Sequence, residues 1–242
     1  MSGVVGSVAL LFRFPVKSTA GEALVAARVD DRGLRHDREW AAYTADGGIA
    51  SGKTTRRFRA VDGLLRWRST VTRTGASGVE LPELLSPDGT AYRVDDPAAS
   101  YALSHAFGQP LTLRAEAEVS HHDECGVHLV TTSAIRRVEE LVGGRVDVRR
   151  LRANVVLGTA GTGFFEDAWF GAELTLGPEV VLRLGPGMPR CVMVDQPQVA
   201  VPAGPPMLRA LGRSHDVLLG LQASVLRSGT VSVGDQARLT RR

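Results

Sequence analysis

One thiol stands at the end of an unusual run, Gly185-Pro186-Gly187-Met188-Pro189-Arg190-Cys191, directly before the apolar Val192-Met193-Val194. A glycine- and proline-rich loop running into a strand end is how a scaffold holds one reactive group in a cleft. Arg190 puts positive charge beside the sulfur, which favours the thiolate, the form that binds metal or attacks. The same cysteine also reads as a small buried hydrophobe. A second constellation, Gly47 to Thr54 (GGIASGKT), fits the phosphate-cradling pattern G-x-x-x-x-G-K-[ST] letter for letter. A P-loop needs a buried parallel strand before it and a helix directly after it. Here Thr44-Ala45-Asp46-Gly47 signals a hairpin, so the segment reads as a hairpin followed by a basic loop. A third, SHHDEC at 120–125, offers the zinc-type ligands His121, His122, Asp123, Glu124 and Cys125, with His128 after it. Its spacing matches no finger or metalloprotease pattern, and adjacent strand residues point to opposite faces. It reads as a polar turn between domains.

The chain has two cysteines in 242 residues, too few for a disulfide framework, a four-cysteine zinc site or a cysteine-ligated iron–sulfur cluster. Its 29 basic and 26 acidic residues leave a net charge of +3. Residues 1–75 hold 13 basic and 7 acidic groups, and the remainder 16 and 19. A basic first third fits an anionic ligand or a solvated basic face. No Lys/Arg tract is interleaved with aromatics, which make up only 5% of the chain, and this argues against a nucleic-acid partner. Among the basic residues only Lys17 and Lys53 are lysine, a compact point charge suited to phosphate or imine chemistry. No apolar run approaches the ~20 residues that cross a bilayer. Met1 to Phe14 lacks the basic n-region and cleavage site of a secretion signal, so a cytoplasmic protein is expected.

These side chains need elements to hold them. Residues 4–16 read as a strand closed by Pro15, 22–30 as another, and 38–46 with the Asp46-Gly47 turn as a hairpin. Short strand candidates fill 68–94, Asp96-Pro97 opens a helix to about Phe107, and 111–119 alternates as a strand. Beyond a boundary near 120, Val127 to Thr131 begins a buried strand. Thr132 is placed to cap a helix whose Ile135, Val138, Leu141 and Val142 fall at helical spacing, ended by Gly143-Gly144. Strands are then expected over 152–158, 172–177, 180–185 and 191–195. A proline-rich link from Pro197 to Pro206 leads to a short helix and to closing strands over 217–226 and 230–239. Many short strands with three or four helices argue for a mainly β, barrel-like fold.

Several fragments stand in a telling order: FPVKS (14–18), GLRHDREW (33–40), RLRANVVL (150–157), FFEDAW (164–169), PRC (189–191) and the closing LQASVLRSGTVSVGD. Together they resemble the MOSC-domain family, in which a molybdenum-cofactor sulfurase C-terminal domain follows an N-terminal β-barrel domain. Relatives include the mitochondrial amidoxime-reducing component and the bacterial hydroxylaminopurine-detoxifying enzymes. The resemblance implies two domains, 1–118 and 119–242, and a molybdopterin whose metal takes Cys191 as a further sulfur ligand. It implies cofactor contacts from Lys17, Ser18, Arg38, Arg152, Asn154 and Arg190, and from Thr131, Thr132 and Ser133 at a strand-to-helix junction. Asp167 of FEDAW either relays protons or ties down its loop. The implied activity is reduction of N-hydroxylated substrates (hydroxylamines, amidoximes or N-hydroxylated bases), the N–O bond breaking with two electrons and two protons to release water. With no dinucleotide fingerprint and too few cysteines for a cluster, the electrons are expected from a separate reductase or ferredoxin-like partner. The alternatives are a sulfur carrier using a Cys191 persulfide, a non-enzymatic MOSC-type binding module and a P-loop nucleotide-binding protein. RAN stands where RPN is frequent, SGKTTRRF stands in place of T-x-R-x-x-P, and VMVDQPQ is a reduced form of the usual run after the cysteine. These departures bear on substrate preference more than on cofactor binding.

Overall fold

The first apolar segment, Ser2–Arg13 (β1), buries Val8 and Leu11 and completes a barrel whose other strands come from the second half of the chain. The computed structural model describes residues 2–74, 79–202 and 204–241. The remaining barrel strands are Val127–Thr131 (β2), Val155–Gly158 (β3), Glu173–Leu176 (β4), Val180–Pro189 (β5), Leu218–Arg227 (β6) and Gln236–Thr240 (β7). They run β3-β2-β6-β5-β4-β7-β1, and β1 returns to pair with β3, so the ring closes and leaves no open edge. Three α-helices occur among the described residues: Pro97–Phe107 (α1), Thr132–Val142 (α2) and Leu208–Ser214 (α3). Only β2 and β3 are parallel neighbours in the barrel, and a parallel pair needs a crossover, which α2 supplies.

Period-two burial fills the barrel. Leu174 and Leu176 on β4, Val180, Leu182 and Leu184 on β5, and Ala237 and Leu239 on β7 all point inward. Each enclosed leucine contributes about 1.5–3 kcal/mol. A second core lies under α2 and α3, where Val138 and Leu211 meet Leu151, Val156 and Leu219. The N-terminal half forms a four-stranded sheet from Trp40–Thr44, Ile49–Ser51, Phe58–Ala60 and Leu111–Ala115, and a three-stranded sheet from Arg68–Thr74, Val79–Leu85 and Ala91–Arg93. Its own core joins Trp67, Leu84, Leu103 and Leu111, with α1 packed against it. Strand pairing crosses the 118/119 division at two places: β1 lies in the barrel, and Ala26–Asp30 pairs with Gly229–Ser232.

The fold is mainly β, as the strand pattern implies, and α1 spans the expected residues with the Asp96 carboxylate accepting from Ala98 N. Four expectations change. Thr131, not Thr132, caps α2, because it keeps extended backbone and its Oγ1 accepts from Ala134 N. The Gly185–Pro189 run is the end of β5, paired to β6 with register irregularities at Gly187, and not a free loop. Val192–Asp195 is a 3-10 turn and not a strand, since the Asp195 carboxylate takes the N–H groups of Met207 and Leu208 and turns the chain toward α3. The strand at 111–119 stops at Ala115, where Glu116 turns to Arg32 and His121 N. The GGIASGKT segment is a hairpin and a basic loop: Ile49–Ser51 pairs antiparallel with Trp40–Thr44, and after Lys53 comes the strand Phe58–Ala60 rather than a helix. Residues 75–78, within the 68–94 stretch, and Ala203, in the proline-rich link, lie outside the described residues.

Candidate functional site

One side of the barrel gathers the chain that follows β1 and β5 and the N-terminal ends of β2 and β3. Against it the N-terminal half lays three segments, 14–18, 37–40 and 51–53. Between them lies a cleft lined by Lys17, Ser18, Arg38, Lys53, Asp123, Cys125, Arg152, Asn154, Arg190 and Cys191. Phe14 is its anchor. Phe14 N donates to the Asp37 carboxylate at 2.8 Å, and the Arg38 and Arg152 guanidiniums lie over its ring at 4.7 and 4.3 Å from the centroid. Asp37 is fully buried and pairs with Arg38, with His122 Nε2 3.4 Å away. Burial alone would raise its carboxyl, but Arg38, His122 and the Phe14 N–H hold it well below the usual range.

The cations reach the cleft with their backbones tied down. Arg152 Nη1 donates to Thr19 O at 2.7 Å, and Arg38 Nη2 to Arg152 O at 3.2 Å. Burial and then the Arg38 charge push Arg152 down to about 9, still cationic at neutral pH. Arg190 Nη2 donates to Leu151 O at 2.6 Å, and its Nη1 lies 3.5 Å from His128 Nδ1. His128 is buried, and burial with Arg190 beside it keeps the ring neutral. Nε2–H is assigned as the donor to Leu219 O at 3.1 Å, which leaves the Nδ1 lone pair facing Arg190. Burial lowers Lys17 to about 8 against the pull of Asp123, whose Oδ1 lies 3.1 Å from Nζ. Asp123 is in turn held at about 2: burial raises it, and Lys17 and Lys53 more than reverse this. Cys125 donates its thiol to Val127 O at 3.0 Å, and burial pushes that thiol up. Cys191 is free of any disulfide and caps the Val192–Asp195 turn.

Ser18, Arg38 and Arg152, three of the sequence-predicted residues, have φ of 64°, 51° and 53°. Left-handed backbone in non-glycine residues costs about 1–2 kcal/mol each and clusters where function holds the chain in place.

Of the sequence-predicted residues, Lys17, Ser18, Arg38, Arg152, Asn154, Arg190 and Cys191 line this one cleft. Asn154 also clamps the strands, accepting from His128 N at 3.0 Å. Thr131, Thr132 and Ser133 do not line the cleft. They sit at the C-terminal end of β2 and the start of α2, about 10 Å along the strand from His128. Their hydroxyls are committed to Glu166, Thr159 and one another. Asp167 also lies off the cleft; it is exposed and accepts from His215 Nε2 at 2.7 Å, tying the end of α3 to the Phe165–Trp169 turn. The sequence pattern also offers Lys53 as a phosphate lysine and Asp123, Cys125 and His128 as zinc-type ligands, readings set aside above, and gives no sign of Asp37. The chain's two lysines meet at one carboxylate. Among the described residues no group of three or more His, Cys, Asp and Glu side chains is placed to hold a metal ion, and SHHDEC runs as irregular, bent chain into β2.

A closed β-barrel with a second, β-sheet half beside it is the class that the fold defines. The MOSC domain model matches residues 116–238 and the MOSC N-terminal beta barrel domain model residues 5–81, so the chain belongs to the MOSC-domain family. That family is associated with molybdenum-cofactor enzymes. Among solved structures, the YuaD protein from Bacillus subtilis is similar over 99% of this chain and 97% of its own, at 14% identity and a TM-score of 0.51, a likeness of fold. YiiM from Geobacillus stearothermophilus matches over 49% of this chain and 55% of its own, at 15% identity and a TM-score of 0.36. No curated protein sequence matches the chain. No helix among the described residues is long and apolar enough to cross a membrane.

Proposed function

We propose that the chain is a cytoplasmic oxidoreductase that binds the molybdenum cofactor, molybdopterin with its metal, in this cleft and reduces small N-hydroxylated substrates. The supporting observation is the convergence of Lys17, Arg38, Arg152 and Arg190 with the Cys191 sulfur from four separate chain segments. The donor set fits the group. A pterin phosphate is an anion for which half-buried ammonium and guanidinium groups are partners. Arg190 Nε, buried with no hydrogen-bond partner among the described residues, is a donor left over for it. Cys191 supplies a soft sulfur of the kind such a metal takes. When bound, the cofactor supplies two-electron chemistry at an N–O bond.

The chain's own residues do the rest. Leu151, Met188 and Met193 give the cleft apolar wall that limits water. Lys17 Nζ holds a proton that it can give near neutral pH, and Asp123 keeps that ammonium oriented. The overall change takes R–NHOH, two electrons and two protons to R–NH2 and water. The electrons come from a separate reductase or ferredoxin-like partner; neither nucleic acid nor membrane takes part. The test is the molybdenum and pterin content of protein purified from a host that makes the cofactor, for wild type and Cys191→Ala, followed by hydroxylamine reduction with an artificial donor. Near-stoichiometric metal that is lost or weakened in the variant is expected. Metal-free, pterin-free wild type overturns the reading.

A second reading draws on Cys125, whose thiol opens onto the same cleft. In it Cys191 carries a persulfide, and the outer sulfur passes to a second thiol and onward to a metal-cofactor pathway. Metal-free protein with one added sulfur on Cys191 by mass spectrometry is its signature.

A further inference from the structure

The GGIASGKT segment forms no P-loop, yet two of its residues are held tightly. Gly52 O accepts from Gln196 Nε2 at 2.7 Å. A Cβ at position 52 would lie 2.2 Å from Gln196 Oε1 and 2.4 Å from Met193 Sδ, the movable ends of two side chains on the turn that Cys191 caps, so the hairpin rests closely on that turn. Lys53, the next residue, lines the same cleft as the cysteine. Its ammonium lies 5.1 Å from the Phe58 ring centroid and 3.4 Å from Asp123 Oδ1. Lys17 lies over the same ring at 4.6 Å and 3.1 Å from the same oxygen. The two differ in depth: the Lys17 side chain is 4% exposed and that of Lys53 20%. One carboxylate shared by two ammonium groups leaves a positive charge uncompensated, and the outer lysine is the one a ligand reaches first.

Building on the reductase reading, we infer that Lys53 determines specificity at the open side of the cleft, and that the N-hydroxylated substrates it selects carry an anionic group, a carboxylate or a phosphate. Asp123 is the internal competitor of that group. It occupies the lysine pair in the empty cleft and yields Lys53 when the ligand's anion arrives. A neutral N-hydroxylated compound gains nothing from Lys53.

The test is calorimetric titration of the cofactor-loaded protein with benzamidoxime, with 4-carboxybenzamidoxime and with inorganic phosphate. The wild type is expected to bind the carboxylated probe ~10-fold more tightly than the neutral one, an order of magnitude for one well-placed charge contact. Lys53→Met keeps an apolar stem over Phe58 and is expected to bring the two affinities together, raising KM for the anionic substrate far more than it lowers kcat. Asp123→Asn removes the competitor and is expected to widen the preference. Equal binding of the two probes by the wild type, or a preference that survives Lys53→Met, overturns the inference. If neither probe binds, the reductase reading fails, and phosphate decides the subsite separately. Phosphate binding weakened in Lys53→Met and strengthened in Asp123→Asn sustains it, and binding unchanged in both overturns it.

Discussion

Keeping a charged lysine at Lys17 costs the folded state free energy, and Lys17→Met measures how much. Burial takes this ammonium from 10.5 to about 8, and a displacement of that size corresponds to ~3 kcal/mol held against the folded protein wherever Lys17 is charged. Methionine keeps most of the buried stem and carries no charge. The lowering is already net of the pull of Asp123, which keeps Lys53 at 3.4 Å in the variant, so only the contact with Phe58, worth under ~1 kcal/mol, offsets the gain. A net stabilisation of about 2–3 kcal/mol at pH 7 is expected, or roughly 4–12 °C in Tm for a chain of this size. The pH dependence fixes the cause. Between pH 8 and 10.5 the unfolded chain binds more protons at Lys17 than the folded one, so wild-type stability gains from this group as pH rises through that window. The variant lacks that gain, and its advantage closes by about pH 10.5. Equilibrium urea unfolding at pH 7, 9 and 10.5 reads both quantities, and cofactor content of the same samples should fall. A variant less stable than wild type at pH 7, with a gap that does not change with pH, refutes the argument that burial of charge dominates at this position.

Other changes separate structure from chemistry. Asp195→Ala removes the carboxylate that accepts from Met207 N at 2.7 Å and Leu208 N at 3.1 Å and pairs with buried Arg150 at 3.0 Å. A loss of ~2–4 kcal/mol is expected in denaturant unfolding, with faster alkylation of Cys191 as its turn loosens. Glu166→Gln acts on a buried carboxyl that burial raises and whose Oε1 has no hydrogen-bond partner among the described residues. A raised carboxyl weakens the fold as pH climbs from the ordinary carboxylate range through the raised value. The glutamine variant should therefore be ~1 kcal/mol more stable at pH 8, with the advantage gone under acid conditions. Asp167→Ala breaks an exposed pair with His215; a stability change under ~1 kcal/mol is expected, with molybdenum content by elemental analysis unaltered.

The barrel was legible because its strands alternate, as Leu174/Leu176 and Val180/Leu182/Leu184 do, and because α1 and α2 carry their own stops at Gly108 and Gly143. Local signals failed where a distant group decides. Nothing near Val192 announces that Asp195 will cap α3 and turn the chain, or that β6 will take up Gly187 and Pro189 as strand. The motif residues for the cleft were found because they come in short, distinctive strings. The helix N-terminus at Thr131–Ser133 looked like an anion site for a sound local reason. It is set aside by position: His128, at the start of β2, lines the cleft, and Thr131, at its end, does not, its hydroxyl engaged with Glu166 and Ser133. Lys53 was discounted together with the P-loop, although a fold can keep a glycine–lysine pair for close packing and a single charge.

The backbone around the cleft shows why so few residues there are replaceable by type alone. Arg38 keeps left-handed backbone because both of its peptide groups are engaged: its N–H donates to Phe14 O at 2.8 Å, and its O accepts from Arg32 and from His121 Nδ1, each at 3.0 Å. Burial lowers His121 to about 4, so the ring is neutral, with Nδ1–H as donor and Nε2 left to accept from the Tyr43 hydroxyl at 3.0 Å. Arg152 is held the same way, its N–H on Arg149 O and its O on Arg38. Each guanidinium is thus aimed by a backbone in a costly conformation that takes one of its bonds from the other half of the chain, Arg38 O from His121 and Arg152 O from Arg38. The strain of ~1–2 kcal/mol per residue is balanced by bonds that form only when β1, the 37–40 segment and the start of β3 come together. Folding of the barrel and assembly of the cationic cleft are for that reason coupled, and an anionic ligand of the proposed kind would meet cations already in position.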